Sequence, residues 1–149
     1  MNNEKHYRAL EKMYLAAPIN QIYKPRIIIS SESAEIEIDV SEKLFHAAGA
    51  VHGSVYFKML DDAAYFAVIS IEKDHFMLTV SFTTYMTRPI SGGLMKSIGK
   101  VVNKTKSQII AEAIVYDGEG EEIGRGSGIF VRSKLPLVDA MGYDNERTL

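Results

Sequence analysis

The sequence contains no cysteine, so disulfide bonds, thiolate metal sites and a cysteine nucleophile are excluded. It also lacks an excess of charge of one sign, because the formal net charge of the 149 residues is only −2. A general nucleic-acid-binding protein would carry a strong basic excess, so we expect no nucleic-acid partner. An anionic ligand would have to be bound by local groups and not by the overall field of the protein.

Long apolar segments are missing as well. The first six residues are polar, unlike a signal peptide, and the longest apolar stretch, residues 63–71, is too short to span a bilayer. We therefore expect a soluble cytoplasmic protein with no membrane partner. The length and the hydrophobic content of 46% fit one domain whose core combines helix and sheet.

The spacing of apolar residues predicts two helices. In residues 4–17, apolar or aromatic side chains recur every three or four positions, which indicates an amphipathic helix that ends before Pro18. Residues 53–71 are long enough for five helical turns, and their apolar side chains cover most of the circumference. The second helix should therefore be largely buried.

Six strands are predicted around the buried helix. Residues 26–30 and 34–40 come before it, and the second of these alternates isoleucine or valine with acidic residues, as in a strand with one solvated face. Four strands follow the helix, at residues 76–86, 94–103, 108–116 and 123–132. The short turns between them favour antiparallel pairing. Residues 41–50 have no sustained period and are predicted to form a loop.

This order of elements predicts an α+β fold in which a curved antiparallel sheet wraps a long central helix, with an extra helix at the N-terminus. We divide the single domain into an N-terminal helix and connection at residues 1–25 and a core at residues 26–134. A C-terminal tail at residues 135–149 is expected to be loosely attached.

The strongest chemical signal lies where the buried helix begins. His52, Gly53 and Ser54 stand at this point, and Asp61 follows inside the helix. The backbone N–H of Gly53 would be unpaired at the positive end of the helix dipole, where it could donate a hydrogen bond to a substrate carbonyl. Glycine would also let a substrate approach the backbone closely. The alternative interpretation is an ordinary glycine at a helix start.

Two adjacent acids, Asp61 and Asp62, lie about two turns into this helix. A buried carboxylate without a partner is costly or loses its charge, so each acid needs a partner or a chemical role. Lys58 precedes them by three and four residues and could pair with either one. We expect Asp62 to form the ion pair and Asp61 to have the chemical role, although the two roles could be exchanged.

These residues resemble a family signature. In the phenylacetate-type branch of the hotdog-fold acyl-CoA thioesterases, within the 4-hydroxybenzoyl-CoA thioesterase superfamily, His-Gly-Gly is followed after six residues by Asp or Glu; here Ser54 replaces the second glycine. The similarity covers residues 27–132 and includes residues 84–89, which resemble the family's strand ending in proline. The resemblance implies a hotdog-fold thioesterase with Asp61 as general base or nucleophile and the Gly53 N–H as oxyanion donor.

The resemblance also suggests roles for nearby residues. His46 stands seven residues before Gly53, where the family often has an amide side chain that helps to fix the substrate carbonyl or the water. Thr79 falls where some relatives have a hydroxyl that orients the acid or the water. His52 is expected to orient the loop through hydrogen bonds. Both His52 and Ser54 are assigned to substrate binding. A surface histidine and an ordinary strand residue are the alternatives for His46 and Thr79.

Coenzyme A would need phosphate contacts at the rim of the site and a narrow channel for its pantetheine arm. The candidate residues are Arg88, Lys104, Thr105, Lys106, Arg125, Gly126 and Arg132. Each could equally be an ordinary turn or surface residue. We expect no cofactor other than the coenzyme A that is part of the substrate.

The spacing of Gly53 and Asp61 bears on assembly. Eight residues along one helix separate them by about 12 Å, so one carbonyl cannot contact both groups of the same chain. If two such helices lay antiparallel across a twofold axis, Gly53 of one subunit would meet Asp61 of the other, and the resemblance implies the same sharing. We predict a homodimer with shared active sites, which could pair again into a homotetramer.

Two other functions stay open. A hotdog-fold hydratase or dehydratase for enoyl thioesters would use a histidine with a carboxylate as general acid and base, and His46 or His52 with Asp61 could be interpreted in this way. A non-enzymatic regulator that binds acyl-CoA is the third hypothesis. The sequence decides neither the acyl group nor whether Asp61 attacks the carbonyl or deprotonates water.

Overall fold

The computed structural model describes residues 3–143. The helices are α1 (Asn3–Ala16), α2 (Asn20–Tyr23) and α3 (Gly53–Ile69). The strands are β1 (Arg26–Ser30), β2 (Ser33–Asp39), β3 (His75–Met86), β4 (Leu94–Lys104), β5 (Ile109–Asp117) and β6 (Glu122–Pro136). Two short 3-10 turns cover Glu42–Leu44 and Leu137–Asp139. The predicted order of two main helices and six strands is confirmed.

The six strands form one antiparallel sheet in the order β1-β2-β4-β5-β6-β3. Strands β2 and β4 pair directly, so the intervening chain leaves the sheet as α3 and returns as β3 beside β6. The sheet curves around α3, which contacts all six strands. The predicted α+β class, with a central helix wrapped by a curved antiparallel sheet, is therefore confirmed.

Helix α3 lies unusually close to the sheet because of one glycine on β4. A Cβ atom on Gly99 would lie 2.1 Å from the carbonyl oxygen of Ala63, so the backbones of helix and strand are in direct contact there. The neighbouring residues Ala63 and Ala64 are fully buried. Small side chains at the crossing thus let the apolar circumference of α3 fill the space inside the sheet.

Helix α1 covers the outer edge of strand β1. Its buried side carries Tyr7, Leu10, Met13 and Tyr14. On the same helix, Arg8 donates a hydrogen bond to the carbonyl oxygen of Ile29 at 2.8 Å, and Glu11 accepts one from the N–H of Ile29 at 2.8 Å. These bonds occupy backbone groups at the β1 edge, while β3, at the other edge, has a pairing strand on one side only.

The C-terminal segment differs from the prediction. Strand β6 continues to Pro136, Leu137 is fully buried, and Tyr143 is 8% exposed. The expectation of a loosely attached tail is therefore wrong for residues 135–143, because these apolar side chains pack into the main core. Residues 144–149 lie outside the described residues. None of the helices in the described part of the chain is long and apolar enough to cross a membrane.

The contact at Gly99 gives a test of the fold. We expect Gly99→Ala to lower the free energy of unfolding by about 1–3 kcal/mol, because the added methyl group must push α3 away from β4. Urea denaturation would measure this change. Gly92→Ala is the matched control, since a Cβ atom there has no neighbour within 4 Å, and we expect a change within about 0.5 kcal/mol. Equal stability of the two variants would contradict the described contact.

Candidate active site

Helix α3 and edge strand β3 run side by side, and their contacts follow one another along the helix. The side of α3 that faces β3 carries every fourth residue, namely Gly53, Phe57, Asp61 and Tyr65. Their contacts on β3, in the same order, are Met86, Phe82, Thr79 and Met77. The predicted oxyanion donor and the predicted acid therefore share one side of the helix, about two turns apart.

The start of α3 is organised by His52, which caps the helix. Its Nδ1 accepts a hydrogen bond from the N–H of Ser54 at 3.0 Å and lies 2.8 Å from the Ser54 hydroxyl. Because Nδ1 accepts, the proton of the neutral ring is on Nε2. Within residues 3–143, the N–H of Gly53 has no hydrogen-bond acceptor, as expected in a first helical turn. It is therefore available to bind an oxygen atom.

A pocket of about 240 Å³ opens beside Gly53. It is lined by His46, Val51, Gly53, Tyr56, Met86, Thr87, Arg88 and Pro89. The buried Tyr56 of this lining donates a hydrogen bond to the carbonyl oxygen of Arg88 at 2.6 Å, which connects the helix to the segment after β3. The exposed His46 accepts a hydrogen bond at Nδ1 from Ala48 at 3.1 Å, so its neutral ring donates through Nε2. The structure thus brings His46, Gly53 and Arg88 together.

The second half of the candidate site is the carboxyl of Asp61. It is partly buried, and its Oδ1 accepts a hydrogen bond from the hydroxyl of Thr79 at 3.0 Å. Burial raises the pKa of Asp61 to about 6; the Thr79 hydrogen bond and Lys58 oppose this rise, and the charge of Asp62 adds to it. A carboxyl that titrates near neutral pH is suited to accept a proton or to act as a nucleophile.

Asp62, unlike Asp61, has a cationic partner within residues 3–143. The Lys58 ammonium lies 2.5 Å from Oδ2 of Asp62, and the Tyr14 hydroxyl donates to the same oxygen at 2.7 Å. The predicted ion pair between Lys58 and Asp62 is confirmed. Among the described side chains, no cation lies within ion-pair distance of Asp61.

The predicted phosphate-binding residues do not form one cluster. Arg88 lines the Gly53 pocket, where its side chain is 62% exposed and lies 3.8 Å from Glu121. Lys106 and Arg132 line a separate depression of about 120 Å³ beside the turn between β4 and β5. Arg132 is also paired with Glu72 at 2.5 Å.

The remaining candidates have partners of their own. Lys104 pairs with Glu32, and Arg125 pairs with Glu122 at 2.6 Å. Thr105 bonds through its hydroxyl with the backbone of Gln108 and so stabilises the turn. Gly126 is buried in the middle of β6, where its neighbours on both sides are paired strands, and a Cβ atom would lie 2.5 Å from the ring of Phe82. Its position is explained by packing and offers a ligand no open backbone group.

Two residues that interact with this region are missing from the predicted site. Tyr14 of α1 and Tyr23 of α2 place their rings 5.1 and 5.0 Å from the Lys58 ammonium. Sequence spacing assigns Tyr14 only to the buried side of α1, and it links neither tyrosine to α3. The available signal was indirect: a lysine on a largely apolar helix requires partners from another element.

Comparison with known proteins identifies relatives of the core. The sequence profile of the thioesterase superfamily matches residues 48–123. A Saccharolobus solfataricus protein whose name suggests an esterase is 24% identical over 98 residues, which are 66% of this chain and 65% of that protein. A Mycobacterium tuberculosis protein with a similar name is 24% identical over 102 residues, 66% of this chain and 73% of the relative. The matched region thus spans slightly less than two thirds of the first relative.

Solved structures share the fold over more of the chain. The PaaI protein from the phenylacetic acid degradation operon of E. coli superposes with a TM-score of 0.81 and 15% identity, covering 90% of this chain and 97% of PaaI. The structure of the M. tuberculosis relative gives a TM-score of 0.73 at 21% identity, covering 78% and 97% of the two chains. At these identities, the similarity establishes the fold and not the substrate.

The raised pKa of Asp61 predicts an effect on stability. Because its pKa is raised from 3.8 to about 6 in the folded protein, the charged carboxylate destabilises the fold above about pH 6, and this effect disappears as the pH falls towards 4. We therefore expect Asp61→Asn to increase the free energy of unfolding at pH 8 and to increase it less at pH 5. Urea denaturation at both values would measure the difference.

Asp62→Asn is the control for this measurement. It breaks the ion pair with Lys58, so we expect it to lower stability at pH 8. The increase in the free energy of unfolding of Asp61→Asn over the wild type should be larger at pH 8 than at pH 5. An equal or smaller increase at pH 8 would mean that burial does not disfavour the charged carboxyl of Asp61, and its described environment would be wrong.

Proposed function

Since the chain belongs to the thioesterase superfamily, we propose that it hydrolyses acyl-CoA thioesters to a free acid and coenzyme A. The family and the esterase names of the relatives support a thioester hydrolase in general, and the acyl-CoA substrate is part of our proposal. One observation carries the proposal: a partly buried carboxyl at Asp61, bonded to Thr79, shares a helix side with the free backbone N–H of Gly53.

In this proposal, Asp61 supplies the reactive carboxylate. The hydrogen bond from Thr79 fixes Oδ1, which leaves Oδ2 to attack the thioester carbonyl or to remove a proton from the attacking water. A pKa of about 6 keeps the group mostly ionised at neutral pH yet more basic than an ordinary aspartate. The N–H of Gly53, at the positive end of α3, would stabilise the oxyanion that forms on the carbonyl.

We propose that these two groups meet across a homodimer. Gly53 and Asp61 of one chain are separated by about 12 Å along α3, which is too far for one carbonyl. Strand β3 is a 12-residue edge strand, and its large apolar side chains Leu78 and Val80 are 49% and 56% exposed. Such an edge is a template for pairing with a second strand.

A second copy that paired along β3 around a twofold axis would set the two α3 helices side by side and antiparallel. Phe57, which is 44% exposed between Gly53 and Asp61 on the helix side facing β3, would then be covered. Each Gly53 would approach the Asp61 of the other subunit, and two active sites would result. Pairing of such dimers into a homotetramer is compatible with this arrangement.

The substrate would enter from the pocket beside Gly53. Arg88 is exposed at this pocket, and its single described ion pair, with Glu121, is long at 3.8 Å, so its guanidinium could contact a phosphate of coenzyme A. His46 could donate through Nε2 to the carbonyl or to water. Lys106 and Arg132, beside the turn between β4 and β5, are further phosphate candidates.

A panel of acyl-CoA substrates, with release of the free thiol as the readout, tests the proposal. We expect turnover by the wild type, and we expect Asp61→Asn to reduce it by at least about a hundredfold, the range for loss of a general base or nucleophile. Asp62→Asn is the comparison variant on the adjacent residue, and we expect a much smaller loss of turnover at pH 8 than in Asp61→Asn, because the reactive carboxylate of Asp61 is still present.

Three outcomes would contradict this assignment. Larger loss in Asp62→Asn than in Asp61→Asn would exchange the roles of the two acids. Hydration of crotonyl-CoA without thiol release would identify a hydratase. Retention of acyl-CoA by wild-type protein with no turnover of any substrate would indicate a binding protein.

A further inference from the structure

Lys58 lies one helical turn before two adjacent acids, Asp61 and Asp62, but pairs with Asp62 alone in the described part of the chain. It precedes Asp61 by three residues and Asp62 by four, and both spacings allow an ion pair on a helix. We propose that Asp62, Tyr14 and Tyr23 act together as positioning residues that hold the Lys58 ammonium away from Asp61. The inference rests on the proposed function, because it is the reactive carboxylate of Asp61 that this arrangement keeps free.

The first part of this arrangement is the hydrogen-bonded group around Asp62. Oδ2 of Asp62 receives the Lys58 ammonium at 2.5 Å and the Tyr14 hydroxyl at 2.7 Å. Lys58 also donates to the Tyr14 hydroxyl oxygen at 3.4 Å. The Lys58 side chain is only 13% exposed, so water competes weakly for its charge.

The second part consists of two aromatic rings from the N-terminal segment. The ring centroids of Tyr14 and Tyr23 lie 5.1 and 5.0 Å from the Lys58 ammonium, within the range of cation–π attraction. Tyr14 is itself held by an edge-to-face contact with Phe66, whose ring centroid is 4.9 Å away. Both tyrosines lie outside residues 48–123, the part matched by the thioesterase profile.

The position of Lys58 matters because Asp61 has one oxygen to spare. Thr79 already occupies Oδ1, so an ammonium that moved to Asp61 would bind Oδ2, the oxygen needed for attack or proton transfer. It would also favour the charged carboxylate and make it a weaker base. Holding Lys58 on Asp62 avoids both effects and leaves a net neutral pair beside the reactive group.

The charged and titratable groups around Asp61 come from few elements of the described chain. Helix α3 contributes Asp62, Lys58 and Tyr65, and burial keeps the pKa of Tyr65 above its ordinary value. Helix α1 acts through Tyr14, which bonds to Asp62. Strand β3 contributes the uncharged hydroxyl of Thr79. A change in the titration of Asp61 can therefore be traced to movement of Lys58 if no charge is removed.

The test uses a variant that weakens the holding residues and conserves every charge. Tyr14→Phe removes the hydroxyl that bonds to Asp62, and Tyr23→Leu removes one of the two rings beside Lys58. The pKa of Asp61 in this double variant is then followed by carbon-13 NMR of the aspartate carboxyls. We expect the pKa to fall by at least about 0.5 unit as Lys58 reaches Asp61. When Lys58→Met alone is the reference, the same two tyrosine changes should cause no fall, because no cation is left to move.

Tyr7→Phe is the matched control, since Tyr7 is another buried tyrosine of α1 and its ring lies beside His6. We expect it to leave the pKa of Asp61 unchanged, which would show that altering a buried tyrosine of α1 does not by itself change this carboxyl. No fall in the tyrosine double variant, or an equal fall with Lys58→Met present, would overturn the proposal.

A second variant covers the case in which the double tyrosine change prevents folding. Asp62→Asn releases Lys58 but also removes a charge that raises the pKa of Asp61, so its effect is measured with and without Lys58. We expect the pKa of Asp61 to fall by about 1–2 units when Lys58 is present, and by less than half as much when Asp62→Asn is compared with its parent in the Lys58→Met background. Equal falls in the two backgrounds would overturn the proposal. The carboxyl titration needs no substrate, so its failure is distinguishable from failure of the thioesterase assay.

Discussion

The structure depends on one constraint: α3 must be buried on most of its circumference and yet carries two acids and a lysine. The sheet buries the apolar side chains of α3 by curving around the helix, and Gly99 lets the backbones of helix and strand come into contact. The polar side chains of α3 find their partners on β3 and on the N-terminal helices. Asp61 accepts a hydrogen bond from Thr79 of β3, and the Lys58–Asp62 pair contacts Tyr14 of α1.

The sequence predicts those features that arise from local spacing. The apolar circumference of residues 53–71 indicates a buried central helix, and the interval between Lys58 and Asp62 indicates their ion pair, because both signals lie within one helix. The separation of Gly53 and Asp61 follows from helix geometry alone. The role suggested for Thr79 came from family resemblance, and its contact with Asp61 depends on the register of β3, which shifts between Thr79 and Ser81.

Contacts between distant segments could not be predicted in the same way. Tyr14 and Lys58 are 44 residues apart, and the packing of α1 along the β1 edge of the sheet brings them together. Likewise, the burial of Leu137 depends on space that other elements leave open, so no local pattern marks it. The candidate phosphate-binding residues do not form one cluster for the same reason. Local sequence patterns do not determine which turns of a curved sheet lie close together, and Arg88 and Lys106 line different depressions.

The central claim, that Gly53 and Asp61 act across an interface, is tested most directly by mixing two inactive variants. Gly53→Pro removes the proposed donor N–H at a helix position that tolerates proline, with a shift of the exposed Met86 side chain, and Asp61→Asn removes the reactive carboxylate. In a mixed dimer, one site has both defects and the other has neither. Subunit exchange should restore about a quarter of wild-type activity per protomer, because half of the dimers are mixed and each has one intact site of two. No recovery, with exchange and folding demonstrated, would contradict the shared site.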